Sequence, residues 1–324
     1  MDYLTHLFTP VAIWFQGIPD WVIPIMKRIT FLGNVEFYII IMPLLFWCLD
    51  STLGIRIGIM LLVSGDFNSL LKIGFRSPRP FWVSSEVSGF VKATGFGFPS
   101  GHAQSVASNW GLLAASKKEP WIKWPSLLLI ILIGLSRLIL GVHFLHDVIV
   151  GWVLGGLLLL AFIKFEPRVI NWFNRSNLGM KLLALVIITA LFILPAFALV
   201  HPFNPPDIPS DWIMIANEEI TPYSYDDILT TAGSFFGLGL GIILFTWNGN
   251  YSIGGAIWKK ALRYLIGLIG VILLYAGLGS IFPDDISLKS YSLRFLRYSL
   301  IGFWIAYGAP KLFSGLKLTE TEIT

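Results

Sequence analysis

The chain is poor in cysteine, in charge and in long polar stretches. Its one cysteine, Cys48, excludes an intrachain disulfide, and its apolar surroundings suit simple packing. Charged residues are 13% of the 324 residues, well under the roughly 25% of soluble domains. The first ten residues hold Asp2 but no Lys or Arg, and no small-residue cleavage site follows, so no secretory leader is expected. Coiled-coil heptads and low-complexity tracts are missing, which leaves no soluble domain to expect. No cluster of Asp, Glu and His has metal-ligand spacing, so neither a metal nor another cofactor is expected. The net charge of +4 is modest and its basic residues sit in separate loops, which argues against a nucleic acid partner.

What the chain does have is apolar length. It is 55% hydrophobic, with a mean hydropathy of +0.74. Apolar runs recur from Val35 to Leu316, and in lipid such runs span as helices because a helix satisfies its own backbone. The expectation is an all-α, polytopic transmembrane helical bundle of about nine spans. They fall near 33–49, 53–74, 102–116, 125–141, 146–164, 182–200, 229–247, 262–281 and 294–312. Before them, Phe8 to Met26 is apolar but broken by Pro10, Gly17, Pro19-Asp20 and Pro24, and reads as an interfacial or re-entrant segment.

Loop charge gives an orientation. Lys117, Lys118 and Lys123 follow the third span; Lys164, Arg168, Arg175 and Lys181 follow the fifth; Lys259, Lys260 and Arg263 follow the seventh. The loop from His201 to Ile228 instead holds Asp207, Asp211, Glu218, Glu219, Asp226 and Asp227, with no Lys or Arg. Basic loops face the cytoplasm, which puts the acidic loop outside. Lys27 and Arg28 run against this pattern, as an interfacial first segment allows.

Three short motifs lie at the outer ends of these spans: Lys72-x6-Arg79-Pro80, Pro99-Ser100-Gly101-His102, and Ser136-Arg137-x5-His143-x3-Asp147. An ionisable group beside a bilayer is a functional candidate by default. Arg79 and Arg137 can each give bidentate hydrogen bonds to phosphate, and Lys72 gives a compact charge. Ser100 and Gly101 open a helix, where backbone N–H groups unpaired by the helix point at an anion. His143 and Asp147 share a helix face at four-residue spacing. The carboxylate then fixes the ring tautomer and leaves the other nitrogen free to attack phosphorus. His102, on another span, is placed to act as general acid and then base. Singly, these motifs also suit a helix cap, a local polar pair and snorkelling anchors. Asp66 and Asn68 lie near Lys72 and either pair with its surroundings or pack with other polar groups, Arg76 can extend the cationic patch, and His146 adjoins Asp147 but has no carboxylate four residues on.

The three motifs, in order and at these spacings, closely resemble the type 2 phosphatidic acid phosphatase (PAP2) superfamily, and every fixed position of the pattern is matched. The resemblance covers roughly residues 30–165. It implies a PAP2-like helical core, metal-independent hydrolysis and a phosphohistidine intermediate. The roles derived above then fall on His143, His102 and Asp147 as catalytic groups, with Lys72, Arg79, Ser100, Gly101 and Arg137 as the phosphate-binding ones. The layout as a whole looks like glucose-6-phosphatase. The division expected is an N-terminal segment at 1–32, a catalytic core at 33–175 and additional spans at 176–324.

The function expected is an integral membrane phosphatase that hydrolyses a lipid phosphate or isoprenoid pyrophosphate at the extracytoplasmic face. The alternatives are a glucose-6-phosphatase-like hydrolase of a soluble phosphomonoester and a lipid phosphotransferase. The expected partners are a phosphorylated small molecule and membrane lipids. A channel built from the later spans has little support, since those spans carry few internal charges.

Overall fold

The computed structural model describes residues 2–117, 119–218, 220–247 and 253–319. Lys118 and Glu219, which carry part of the expected charge pattern, lie outside the described residues, as does the tail from 320. Among the described residues the chain is helical and holds no strand. The helices are α1 (Asp2–Gln16), α2 (Val22–Phe31), α3 (Val35–Leu44), α4 (Ser51–Phe75), α5 (Pro80–Val83), α6 (Gly101–Ser116) and α7 (Pro120–Ile139). They continue with α8 (Leu145–Arg175), α9 (Leu178–Leu199), α10 (Ser210–Ala216), α11 (Asp226–Trp247), α12 (Ile257–Ile272), α13 (Leu288–Phe303) and α14 (Ala309–Gly315). Turns of π-helix extend α3 and α12 and join α13 to α14.

Among the described residues, six helical stretches are long and apolar enough to cross a membrane: Ser51–Val83, Pro120–Ile139, Leu145–Arg175, Leu178–Leu199, Asp226–Thr246 and Ile257–Gly277. Val22–Phe31 and Val35–Leu49 form a pair bent by 46°, a seventh crossing if the pair is one broken span. The count is below the nine read from sequence for two physical reasons. The helix at 102–116 has only 16 residues and buries polar ones, among them Gln104, Ser108 and Asn109. The run at 294–312 carries Arg294, Arg297 and Lys311 and is interrupted by a π-turn.

The chain divides into two compact units. One is built from Met1–Tyr38, Phe67–Lys164 and Ala196–Ser224, the other from Ile39–Asp66, Phe165–Pro195 and Tyr225–Thr324. In the first, α6 and α7 pack side by side, and α1 and α2 lie against α7. An aromatic core of Phe81, Trp82, Phe96 and Phe144 closes its loop end. The acidic loop after α9 joins this core through Ile208, Trp212, Ile220 and Tyr223. The Trp82 and Trp212 rings are 5.9 Å apart, and Phe96 meets Tyr223 edge-on at 5.1 Å. Gln16 pins α1 to the loop before α6: its Nε2 donates to the Ser88 carbonyl at 2.6 Å, and its Oε1 accepts from the Ser88 N–H at 2.9 Å.

The second unit is centred on Trp47, Phe313, Ala306 and Leu238. The Trp47 indole donates to the Ile305 carbonyl at 2.9 Å, so its buried N–H is satisfied. α11 and α13 approach at backbone distance: a Cβ on Gly237 would meet the Ser299 carbonyl oxygen at 1.8 Å. Glycine at such a contact is what lets membrane helices pack closely without an apolar driving force between them.

Candidate active site

The three motifs converge within the first unit. Lys72 lies in the last turn of α4, Ser100 is the N-cap of α6, Arg137 is in the last turn of α7, and His143 lies in the turn before α8. Arg79, His143, Asp147 and Arg137 are all buried.

His143 and Asp147 meet, but not along a helix face as their spacing suggested. α8 begins at Leu145, so His143 precedes it. Asp147 sits in the first turn, and its Oδ2 accepts the Phe144 N–H at 2.9 Å. An acidic side chain at the third helical position reaching back to the cap N–H is half of a capping box. The same oxygen lies 3.3 Å from His143 Nδ1. On the other side of the ring, Arg79 Nη1 approaches His143 Nε2 at 3.3 Å. A guanidinium can only donate and a carboxylate can only accept. His143 therefore carries its proton on Nδ1 and turns the Nε2 lone pair toward Arg79. Burial, together with the charges of Arg79, Arg137 and Lys72 and of His102, pushes this imidazole well below the usual histidine range.

Arg79 is fixed by backbone. Its Nε donates to the Gly95 carbonyl at 2.6 Å, Nη1 to Val142 at 2.8 Å and Nη2 to Phe96 at 3.2 Å. Arg137 donates from Nη1 to Thr30 Oγ1 at 2.8 Å, while its buried Nε–H has no acceptor among the described residues. A buried guanidinium donor left open is costly and calls for an anion or water as partner. Lys72 is at the mouth of α6: a Cβ on Gly101 would lie 3.7 Å from its Nζ and 2.7 Å from Asn68 Oδ1. Asn68 in turn donates to the Pro99 carbonyl at 3.2 Å and to Gln104 Oε1 at 3.0 Å, so it braces the start of α6.

Several expectations need correction. The Ser100 N–H is not open to an anion, because it donates to the Asp147 carbonyl at 3.0 Å; its Oγ accepts from Ala103 N–H at 3.4 Å as the cap. This ties α6 to α8 and leaves the hydroxyl proton as the serine's own donor. Arg76 does not join the cations. Its backbone turns at φ +54°, and its guanidinium donates to the Leu199 carbonyl at 2.9 Å over the Tyr223 ring. Asp66 is buried in the other unit, where Thr231 donates to it at 3.3 Å. His146 does meet a carboxylate: its Nε2 is 3.1 Å from Asp147 Oδ1, a close contact without hydrogen-bond alignment. Its ring is enclosed by Phe8, Phe98 and Phe144.

Two site neighbours escaped the sequence reading. Thr30 holds Arg137, and Asn34 Oδ1 lies 2.8 Å from His102 Nε2. Thr30 lies in the last turn of α2 and Asn34 in the turn before α3, and nothing in their local sequence marks them. Among the described residues no group of three or more His, Cys, Asp or Glu side chains gathers as a metal site.

The sequence matches known proteins. The sequence profile of the PAP2 superfamily matches residues 53–171, and that of the PAP2 superfamily phosphatase transmembrane extension matches 229–321. Phosphatidylglycerophosphatase B of Bacillus subtilis (strain 168) is 30% identical over 165 residues, covering 46% of this chain and 77% of its own. Glucose-6-phosphatase 3 of Bos taurus is 25% identical over 322 residues, 89% of this chain and 86% of its own. The crystal structure of the first transmembrane PAP2 type phosphatidylglycerolphosphate phosphatase from Bacillus subtilis aligns with a TM-score of 0.43 at 25% identity, over 52% of this chain and 87% of that one. With the motifs at 72–147 inside the matched region, the chain belongs to the PAP2 superfamily and is an integral membrane phosphatase, a hydrolase of phosphate esters.

Proposed function

We propose that the protein hydrolyses a lipid phosphate or isoprenoid pyrophosphate at the extracytoplasmic membrane face, through a phosphohistidine on His143. The observation that carries this is the pairing at one imidazole: Asp147 at Nδ1, and Arg79 at the Nε2 lone pair. A phosphate drawn in by Arg79, the open Nε–H of Arg137 and the Lys72 ammonium would supply oxygens that Arg79 prefers to a neutral ring nitrogen. The Nε2 lone pair is then released onto phosphorus. Attack forms the N–P bond as the ester P–O bond breaks, and the departing oxygen takes a proton from His102. His102 next removes a proton from water, whose oxygen attacks phosphorus. The N–P bond breaks, and inorganic phosphate and neutral His143 are restored. The positive groups stabilise charge on the equatorial oxygens throughout, so the scheme needs no metal. Ser100 and Gly101, at the start of α6, complete the phosphate cradle.

Access from lipid is supported by α8. Beyond Asp147, its residues Ile149, Val153, Leu157 and Leu160 are apolar and exposed, the surface a helix turns toward acyl chains. The relative named for phosphatidylglycerophosphate acts on a lipid of this chemistry. One observation favours a soluble phosphomonoester instead: the similarity to glucose-6-phosphatase 3 runs through 89% of the chain, including the later helices. Phosphate release from a panel of lipid phosphates, isoprenoid pyrophosphates and sugar phosphates in detergent separates the two. The lipid class should give the higher kcat/KM, with vanadate inhibiting and EDTA leaving the rate unchanged. A preference for sugar phosphates would transfer the assignment to the second reading. A rate lost in EDTA and restored by magnesium would refute the metal-free scheme.

A further inference from the structure

The end of α2 and the turn that follows it reach two groups of the site from outside the residues that carry the motifs. Thr30 accepts from Arg137, Asn34 contacts His102, and Leu32 between them accepts the Trp110 indole N–H at 3.4 Å. The turn is pressed against the histidine. A Cβ on Gly33 would meet His102 Cδ2 and Val106 Cγ1 at 3.2 Å and Ile133 Cγ2 at 3.0 Å, so only glycine fits without displacement. The His102 ring is thus held by this turn.

The chemistry of the contact sets the proton inventory. The atom 2.8 Å from His102 Nε2 is the amide oxygen of Asn34, which has no proton to give. Nε2 must therefore carry the hydrogen and donate it. An oxygen acceptor at Nε2–H favours the imidazolium, which burial and the charges of Arg137, Lys72 and Arg79 otherwise oppose. Proton exchange is then left to Nδ1.

We propose that Asn34 is the positioning residue for the proton donor: its amide oxygen keeps Nε2–H of His102 in place through the whole cycle and makes Nδ1 the nitrogen that protonates the leaving oxygen. This rests on the reading of His102 as the general acid. In the first half-reaction the imidazolium gives its Nδ1 proton to the alkoxide and becomes the Nε2–H tautomer. In the second, Nδ1 takes a proton from the attacking water and the imidazolium returns. One proton cycles at one nitrogen, and the Asn34 bond is never broken.

The test uses the full-length protein in detergent with two substrates, an alkyl phosphate and p-nitrophenyl phosphate. An alkoxide needs protonation to leave and a nitrophenolate hardly does. His102→Ala should lose about 10²- to 10⁴-fold on the alkyl ester and much less on the aryl ester. Asn34→Ala should show the same substrate bias at a smaller size, about 10- to 100-fold, as expected for one hydrogen bond to a charged group. In the His102→Ala background it should cost nothing more on p-nitrophenyl phosphate. Asn34→Asp, which keeps the acceptor and adds charge, should restore turnover of the alkyl ester and move the alkaline limb of its kcat profile to higher pH. Equal losses on both substrates for Asn34→Ala, additive with His102→Ala, would overturn the inference, as would an unmoved alkaline limb in Asn34→Asp. If His102→Ala itself shows no leaving-group bias, the assignment of the acid fails first and this inference falls with it.

Discussion

At the residue scale, the site depends on keeping one imidazole neutral and correctly protonated among cations. His143 Nε2 can attack phosphorus only while it has no proton. Burial comes first in opposing its protonation, and Arg79 and Arg137 add repulsion. The sign follows: on acidification, the nucleophile is lost only below the ordinary histidine value of about 6.5. An NMR resonance of His143, identified by its disappearance in His143→Ala, should report a neutral ring through that pH; a ring charged at or above it would contradict the electrostatics. Asp147 holds the tautomer that exposes this lone pair. Asp147→Asn keeps the shape but can present an amide N–H where a proton acceptor is needed, and a wrong tautomer of this kind costs about 10⁴-fold in turnover elsewhere. The fold should survive, since an amide oxygen can still accept the Phe144 N–H. His143→Ala should leave no phosphoenzyme under base-stable trapping, because phosphohistidine is acid-labile. His146→Ala should still form one; label lost in His146→Ala and kept in His143→Ala would exchange their roles.

At the scale of elements, the parts that could be read from the chain are those set by local pattern. The apolar runs marked α4, α7, α8, α9, α11 and α12, and the charged motifs fell at helix ends as expected. The departures are long-range or depend on how a helix starts. His143 lies outside α8 because the Asp147 carboxylate caps the helix by accepting the Phe144 N–H, a choice that four-residue spacing alone does not reveal. Thr30 and Asn34 meet Arg137 and His102 across separations of 107 and 68 residues, and no periodicity encodes such pairs. The packing of the acidic loop after α9 is likewise not encoded in local pattern. The loop docks on the loop before α6 through Trp212, Ile220 and Tyr223, and the Thr221 N–H donates to the Thr94 carbonyl at 3.0 Å. Trp82 is the buried centre of that docking. Replacing a buried tryptophan by alanine costs about 3–5 kcal/mol. Trp82→Ala should therefore lower the thermal midpoint and open the 201–224 loop to added protease. Unchanged protease resistance of that loop would show that its seat does not depend on Trp82.

At the scale of the whole molecule, the orientation in the membrane decides which phosphates the site can meet. Helix length gives the first step. α6 starts at the site with Gly101 and ends at Ser116, and α7 starts after Lys117 and returns to the site at Arg137. At 1.5 Å per residue these helices separate the site from Lys117 and Lys123 by about 24 to 30 Å, close to the roughly 30 Å hydrocarbon core. Trp121 and Trp124 are exposed beside Lys123, the amphipathic pattern of a membrane interface. The basic turn and the site should therefore lie at opposite interfaces, with α7 as the crossing between them. Loop charge then assigns the faces. Lys117 and Lys123 favour the cytoplasm, and the loop at 201–224, which packs near the site, carries Asp207, Asp211 and Glu218 without a compensating Lys or Arg. The site should face outward or into a lumen. Single cysteines placed at Ser116 and Ser224 in a Cys48→Ser background test this with an impermeant thiol reagent. Intact cells should label position 224 and spare 116 until the membrane is opened. The reverse pattern would turn the protein over and give the site cytoplasmic phosphates, with sugar phosphates then the more accessible class. Labelling of 224 alone keeps the site on the outer or lumenal side, as the proposed function requires.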